Sequence, residues 1–254
     1  MKKVVLTTFL AALLSIATSA SAGPPKKLII YCGITMLKPM VEIAKIFEKE
    51  QDCKVAFIKG GSGKLMKLLL KNKNGDLYLP GSDSYLKKLD ADHPGLVAAQ
   101  AHLGYNKAAF FVKQGNPKAF TPDIDNLLNP DFRVMIGSAE KGSIGKETKK
   151  ILTRKGIYDA VRQKAIVTLH SQSLVNALKG NKADVTINWF AVSTWPENSK
   201  DVEALAISEQ FAQKKKLVLA TLKDSTNPDL AAQFLKLASS QRGKQLFKQY
   251  GLGL

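Results

Sequence analysis

The sequence predicts an α/β protein of two doubly wound lobes that face one another across a cleft and are joined by a hinge. Three observations carry this. Short apolar runs rich in strand formers alternate with stretches whose apolar residues recur every three or four positions. The connections between them are short, which favours parallel strands with helices on the sheet faces. The alternation restarts after residue 106, so the chain builds two blocks of the same kind.

The chain opens MKKVVLTTFLAALLSIATSASA, where Lys2 and Lys3 precede an apolar stretch from Val4 to Ile16 and the small residues Ala20, Ser21 and Ala22. That order predicts a secretory signal peptide at 1–22. The apolar stretch is shorter than the ~20 residues a membrane-spanning helix needs. Residues 23–254 are therefore expected to be an exported, periplasmic protein, long enough for one large domain or two modest lobes.

LIIYC (28–32) reads as a buried strand, and Met36, Leu37, Met40, Val41, Ala44 and Phe47 fall on one face of a following helix. KVAFI (54–58) and LMKLLLK (65–71) repeat the pair, and DLYLPG (76–81) is a third strand ending in a turn. The second block runs through AAFFV (108–112), RVMIG (133–137), a helix near 145–155, AIVTL (165–169), a helix near 173–179 and DVTINW (184–189). KLVLATL (216–222) is a further strand. Asn227 and Pro228 supply a cap and a first-turn proline for a helix carrying Leu230, Phe234, Leu235 and Leu237. A last helix near 241–250 stops at Gly251. Lobe one is expected to comprise 23–105 with 216–254, and lobe two 106–215, with two crossing strands as the hinge.

The formal charge is +17, and subtracting Lys2 and Lys3 leaves +15, a balance that attracts anions of every size. Lysine is spread along the chain without interleaved aromatics or a nucleic-acid motif, so no nucleic-acid partner is expected. Cys32 ends one strand and Cys53 precedes the next. In parallel neighbours they would lie ~13 Å apart at about 3.3 Å per residue. A disulfide needs Cα atoms within roughly 7 Å, so two free thiols are expected.

FIKGGSGKLM (57–66) invites comparison with a nucleotide P-loop, G-x-x-x-x-G-K-[ST]. Ile58 stands at the first glycine position and Leu65 at the hydroxyl position; in KGSIGKET the same places hold Glu140 and Glu147. Neither segment meets the motif. What remains is a strand leading through Gly60, Gly61, Ser62 and Gly63 into a helix near Lys64. Ser62 then sits beside unpaired helix amides, where it could hold a small anion or merely cap its own helix.

The arrangement recurs. Gly33-Ile34-Thr35, Gly142-Ser143-Ile144-Gly145 and Ser171-Gln172-Ser173 each follow a strand and precede a helix. In an open α/β sheet ligands bind beyond the carboxyl ends of the strands, where all four corners lie. Two corners come from each block, and their hydroxyls and amides are expected to meet at one point.

These segments resemble the periplasmic molybdate-binding proteins and the wider class of anion-binding solute receptors of ABC transporters. LIIYCGITMLKPMVEIAKIFEKEQDCKVAFIKGGSGKL is similar to the family's opening, where hydroxyls at the positions of Thr35 and Ser62, beside Gly33 and Gly61, contact the oxyanion. FRVMIGSAEKGSIGKETKKILTRKGIYDAV resembles the segment that supplies a backbone amide, which places Ser143 and Ile144 at the ligand. SLVNALKGNKADVTINW is similar to the next contact region, with Leu174 beside Ser173 at an amide-donating position and Asn188 where molybdate binders carry a tyrosine. NPDLAAQFLKLASSQRGKQLFKQYGL resembles the closing helices. Cys32, Lys64, Ser82 and His170 are secondary candidates. The chain departs from the family at Cys32-Gly33-Ile34-Thr35, at GDLYLPGSDSYL and at Asn188-Trp189.

The resemblance implies a monomeric receptor that captures a small oxyanion of the molybdate or tungstate kind and delivers it to a membrane ABC permease, with no cofactor and no metal. The alternative is a receptor or surface antigen for a phosphorylated or carboxylate metabolite, or for phosphate or sulfate. Neutral hydroxyl and amide donors aimed from helix ends suit such a ligand. Lys64 is either a source of long-range attraction or a solvated surface residue, and His170 either a pH-sensitive donor or a structural histidine. Trp189 and Trp195 are read as packing residues. An enzyme would need a nucleophile and base in one constellation; the one pairing on offer, Cys32 with His170, is not expected to act.

Overall fold

The computed structural model describes residues 26–253; the signal peptide expected at 1–22 lies outside them. The first block runs β1 (Lys26–Gly33), a 3₁₀ turn (Ile34–Met36), α1 (Leu37–Glu50), β2 (Cys53–Gly60), α2 (Ser62–Asn72), β3 (Leu77–Leu79), α3 (Ser84–Asp92) and β4 (Val97–Asn106). The second runs β5 (Ala108–Lys113), β6 (Val134–Gly137), α4 (Ser143–Lys155), α5 (Tyr158–Lys164), β7 (Ile166–Thr168), α6 (Ser171–Lys179), β8 (Val185–Trp189) and β9 (Val202–Ala206). The chain then returns through β10 (Lys215–Leu222), α7 (Pro228–Ser239) and α8 (Gln241–Gln249).

Two five-stranded sheets result, in the orders β2-β1-β3-β10-β4 and β7-β6-β8-β5-β9. They are wound alike. In each, the first three named strands are parallel, and the fourth runs against its neighbours on both sides. The sheets are thus mixed rather than wholly parallel. The reversed strands, β10 and β5, are those that enter from the other lobe. Ala108 opens β5 beside Trp189 at the end of β8, so a chain arriving at the cleft end must run back down the sheet.

The sequence explains the layers. β1 is buried on both faces, as a strand covered by helices above and below must be. α1 turns Met40, Ile43, Ala44 and Phe47 inward, and Phe47 meets Phe234 of α7 edge-on at 5.2 Å between ring centroids. Such a pair contributes about 0.5–1.5 kcal/mol beyond its area. A separate core forms under the second sheet around Phe110, Phe111, Leu174, Val185 and Trp189. Of the elements, α3, α5, β4 and β9 carry weak signals: β4 reads VAAQAHLGYN, with alanines and a glutamine where strand formers are usual.

Cys53 lies beside Lys26 and Cys32 beside Lys59 in the β1–β2 register. Six positions separate them, about 20 Å at 3.3 Å per residue, more than the sequence spacing implies. Both thiols are free and buried. The chain crosses between lobes at Lys107 and again between β9 and β10. Lys107 Nζ lies 3.1 Å from Glu209, tying one crossing to the other.

Candidate functional site

Four helices open on serine, and three of those serines, at the starts of α2, α4 and α6, line one cavity. Ser62, Ser143 and Ser171 are the first residues of α2, α4 and α6, each straight after a strand. The caps before α2 and α4 are Gly61 and Gly142, which hold extended backbone angles and have no side chain to offer. The first ladder bonds of these helices run from Leu65 to the Gly61 carbonyl and from Lys146 to the Gly142 carbonyl. The amides before them are left without backbone acceptors among the described residues, and the positive ends of two helix dipoles add to their pull on an anion. Ser62 does not cap its own helix: its Oγ instead accepts the Gly81 amide at 3.0 Å.

These helix starts converge. A cavity of about 20 Å³ is lined from one lobe by Gly33, Thr35, Gly61 and Ser62 and from the other by Ser143, Ile144, His170 and Ser171. A single water needs roughly 10–15 Å³ by the same measure, so the space is about that of one or two waters. A Cβ placed on Gly81 would lie 2.3 Å from Ser143 Oγ and 3.6 Å from Ser62 Oγ. The two hydroxyls therefore flank one point from opposite lobes.

The lobes are shut on each other. A Cβ on Gly61 would fall 2.5 Å from the Lys141 carbonyl, and one on Gly63 2.8 Å from that of Glu140. Only glycine permits this approach. Lys38 pairs with Glu197 at 2.6 Å and Lys215 lies 3.0 Å from Glu147, each spanning the lobes. At the rim, Lys146 stands 4.8 Å from the ring of Tyr85, and burial, then Lys150 and Lys88, lower its pKa. Burial and the Glu140 charge push the Tyr85 phenol up to about 12.

No charged side chain lines the cavity. Trp189 Nε1 donates to Ser143 Oγ at 3.2 Å, and the hydroxyl of Thr35, a buried residue, has no side-chain partner among the described residues. His170 caps α6, its Nδ1 accepting the Ser173 amide at 3.4 Å. The residues present suit a small anion held by neutral donors; among the described residues no His, Cys, Asp or Glu group is arranged to hold a metal.

Several expected site residues lie away from the cavity. Helix α6 begins at Ser171, two residues before the sequence reading starts it, so Ser171 takes the lining position; Ser173 turns to His170 and Leu174 is buried in the core. Asn188 is fully buried, its amide donating to the Ser171 carbonyl at 3.0 Å and its oxygen accepting the Trp189 amide, so it supports the turn behind the cavity. Lys64 is exposed on α2. Ser82 bonds Ser84 at 2.8 Å and accepts its amide, organising the start of α3. Cys32 is wholly buried, its thiol directed at the Gly33 carbonyl and its pKa raised by burial, so it cannot pair with His170 as a thiolate. The cavity residues that the sequence does not single out as contacts are Ile34, Met36, Gly60, Gly81, Gly142 and Ser171. The helical phase of Ser62 and Ser143, each at a first helical position, is the signal that finds Ser171.

A protein-family model described as bacterial extracellular solute-binding protein matches residues 28–253. Among curated relatives, the molybdate-binding protein ModA of Escherichia coli is 22% identical over 252 residues, covering 97% of this chain and 96% of that one. Among solved structures, the periplasmic molybdate-binding protein of Azotobacter vinelandii superposes with a TM-score of 0.75 at 15% identity, covering 89% of this chain and 99% of that one. PEB3 of Campylobacter jejuni with L-phospholactate bound gives 0.71 at 19% identity over 89% and 99%. At such identities the structural matches establish the fold.

Proposed function

The chain belongs to the bacterial extracellular solute-binding proteins, a family of binding proteins rather than enzymes that act outside the cytoplasm with ABC transporters, and from that premise we propose that it captures a small tetrahedral oxyanion. The observation that carries this reading is the meeting of Ser62 and Ser143 at one point inside a cavity of about 20 Å³. Thr35, Ser171 and the amides of Ser62, Ser143 and Ile144 complete a set of neutral donors. Each charge-assisted hydrogen bond is worth roughly 1.5–3 kcal/mol. Six or seven suffice for micromolar binding after the ligand and the lobes are ordered.

Closure is the functional event, because donors from the two lobes reach the same ion only when the cleft shuts. In this reading the signal peptide at 1–22 directs a monomer to the periplasm, where the closed form hands its anion to a membrane permease. The molybdate-binding relatives favour molybdate or tungstate. The cavity volume argues against a phosphorylated or carboxylate metabolite in this closed form, since such a ligand would hold the lobes further apart.

A thermal-shift panel of molybdate, tungstate, sulfate, phosphate and small organic acids at matched ionic strength tests the proposal. A saturable rise with one tetrahedral oxyanion is expected. Salt-sensitive responses to polyanions alone would contradict it.

A further inference from the structure

We propose that Trp189 is a specificity-determining positioning residue, which sets the Ser143 hydroxyl as a proton donor and so biases the cavity toward an anion that carries no proton of its own. This rests on the oxyanion reading of the site. Trp189 closes β8 and is fully buried, and its indole Nε1 donates to Ser143 Oγ at 3.2 Å. An indole can donate but never accept. It therefore takes an acceptor direction of the hydroxyl, and a hydroxyl that accepts a hydrogen bond gives its own proton more strongly.

The other lobe repeats the device. Ser62 Oγ accepts the Gly81 amide at 3.0 Å, which again occupies an acceptor direction of the hydroxyl and leaves its proton free to be donated. Both contacts are made within one lobe, Trp189 with Ser143 and Gly81 with Ser62, so each donor is set before the cleft closes. The His170 ring is engaged by Ser173, its Nδ1 accepting the Ser173 amide at 3.4 Å. No carboxylate lines the cavity. A monohydrogen anion such as hydrogen phosphate would bring a proton with no committed acceptor, whereas sulfate, of equal charge, brings acceptors alone.

Calorimetric titration of sulfate and of inorganic phosphate in mildly alkaline buffer, into the wild type, Trp189→Phe, Ser143→Ala and the double variant, tests the assignment. Trp189→Phe is expected to weaken sulfate about five- to tenfold, leave phosphate nearly unchanged, and have no further effect once Ser143 is alanine. Equal losses in both backgrounds, or an unchanged sulfate-to-phosphate ratio, would overturn it. The indole N–H resonance of Trp189 in the anion-free wild type gives a check that needs neither ligand nor a tryptophan variant: Ser143→Ala should move it, and an unmoved resonance overturns the assignment. If the wild type bound no oxyanion at all, the oxyanion reading would fall and this assignment with it; binding with additive variants would remove this assignment alone.

Discussion

The hydroxyl oxygens of Ser62 and Ser143, carried by helices of different lobes, both lie within 3.6 Å of the point where a Cβ on Gly81 would sit. Neither belongs to the same sheet as the other, so only closure of the cleft brings them together.

Removing one hydroxyl should weaken the ligand and spare the fold. Ser62→Ala and Thr35→Ala are each expected to lower oxyanion affinity at least tenfold, the loss of one charge-assisted bond. Calorimetry alongside thermal melts of the anion-free variants checks this. Equal affinity in both variants would remove the two residues from the site.

Gly61→Ala should block closure. The backbone at Gly61 has φ −72°, which alanine accepts, yet the new methyl would fall 2.5 Å from the Lys141 carbonyl of the other lobe. Anion affinity is expected to fall more than tenfold while each lobe stays folded. Small-angle scattering should then show no compaction on adding the anion that compacts the wild type.

Asp184 gives the stability of the second lobe an acid limb. Its carboxylate accepts the Arg133 side chain at 2.7 Å and the Arg133 amide at 2.9 Å, and the guanidinium hydrogen bond, ahead of the opposing burial, holds its pKa below the usual carboxylate range. A depressed folded-state pKa stabilises above the unfolded value, and that stabilisation is lost as pH falls through the folded one. Asp184→Asn should therefore lower the melting temperature at neutral pH and flatten its decline in acid. Parallel profiles for variant and wild type would contradict this.

Neither cysteine should react in the native protein. Burial raises both thiols, with Glu48 and Asp52 adding to the rise at Cys53. Alkylation followed by mass spectrometry should find both unmodified when folded and both modified when unfolded. Modification of native Cys32 would reopen the thiolate pairing with His170.

Much of the fold is legible in the sequence because the parallel strands are short apolar runs and the helices keep a 3.6-residue period. LIIYC and RVMIG mark the second strand of each sheet, and the glycine- and serine-bearing corners after the parallel strands announce helix starts at the cleft. The direction of β5 and β10 is not legible, because it depends on where the chain crosses the hinge rather than on local pattern. The start of α6 at Ser171 rather than near 173 has a local cause. His170 serves as the cap of α6, a role more often filled by Ser, Thr, Asp or Asn, and so the serines after it look like the turn. At Asn188 the side chain turns to the Ser171 carbonyl, a direction that its place at the end of a strand does not reveal.

The central claim is that an oxyanion sits between Ser62 and Ser143 in the closed cleft. A crystal structure of the protein with the oxyanion that raises its melting temperature most tests this directly. The account predicts the anion within hydrogen-bonding distance of Ser62 Oγ and Ser143 Oγ, with Thr35 and Ser171 around it; an anion bound elsewhere, or two hydroxyls that face separate solvent with the anion present, would contradict it.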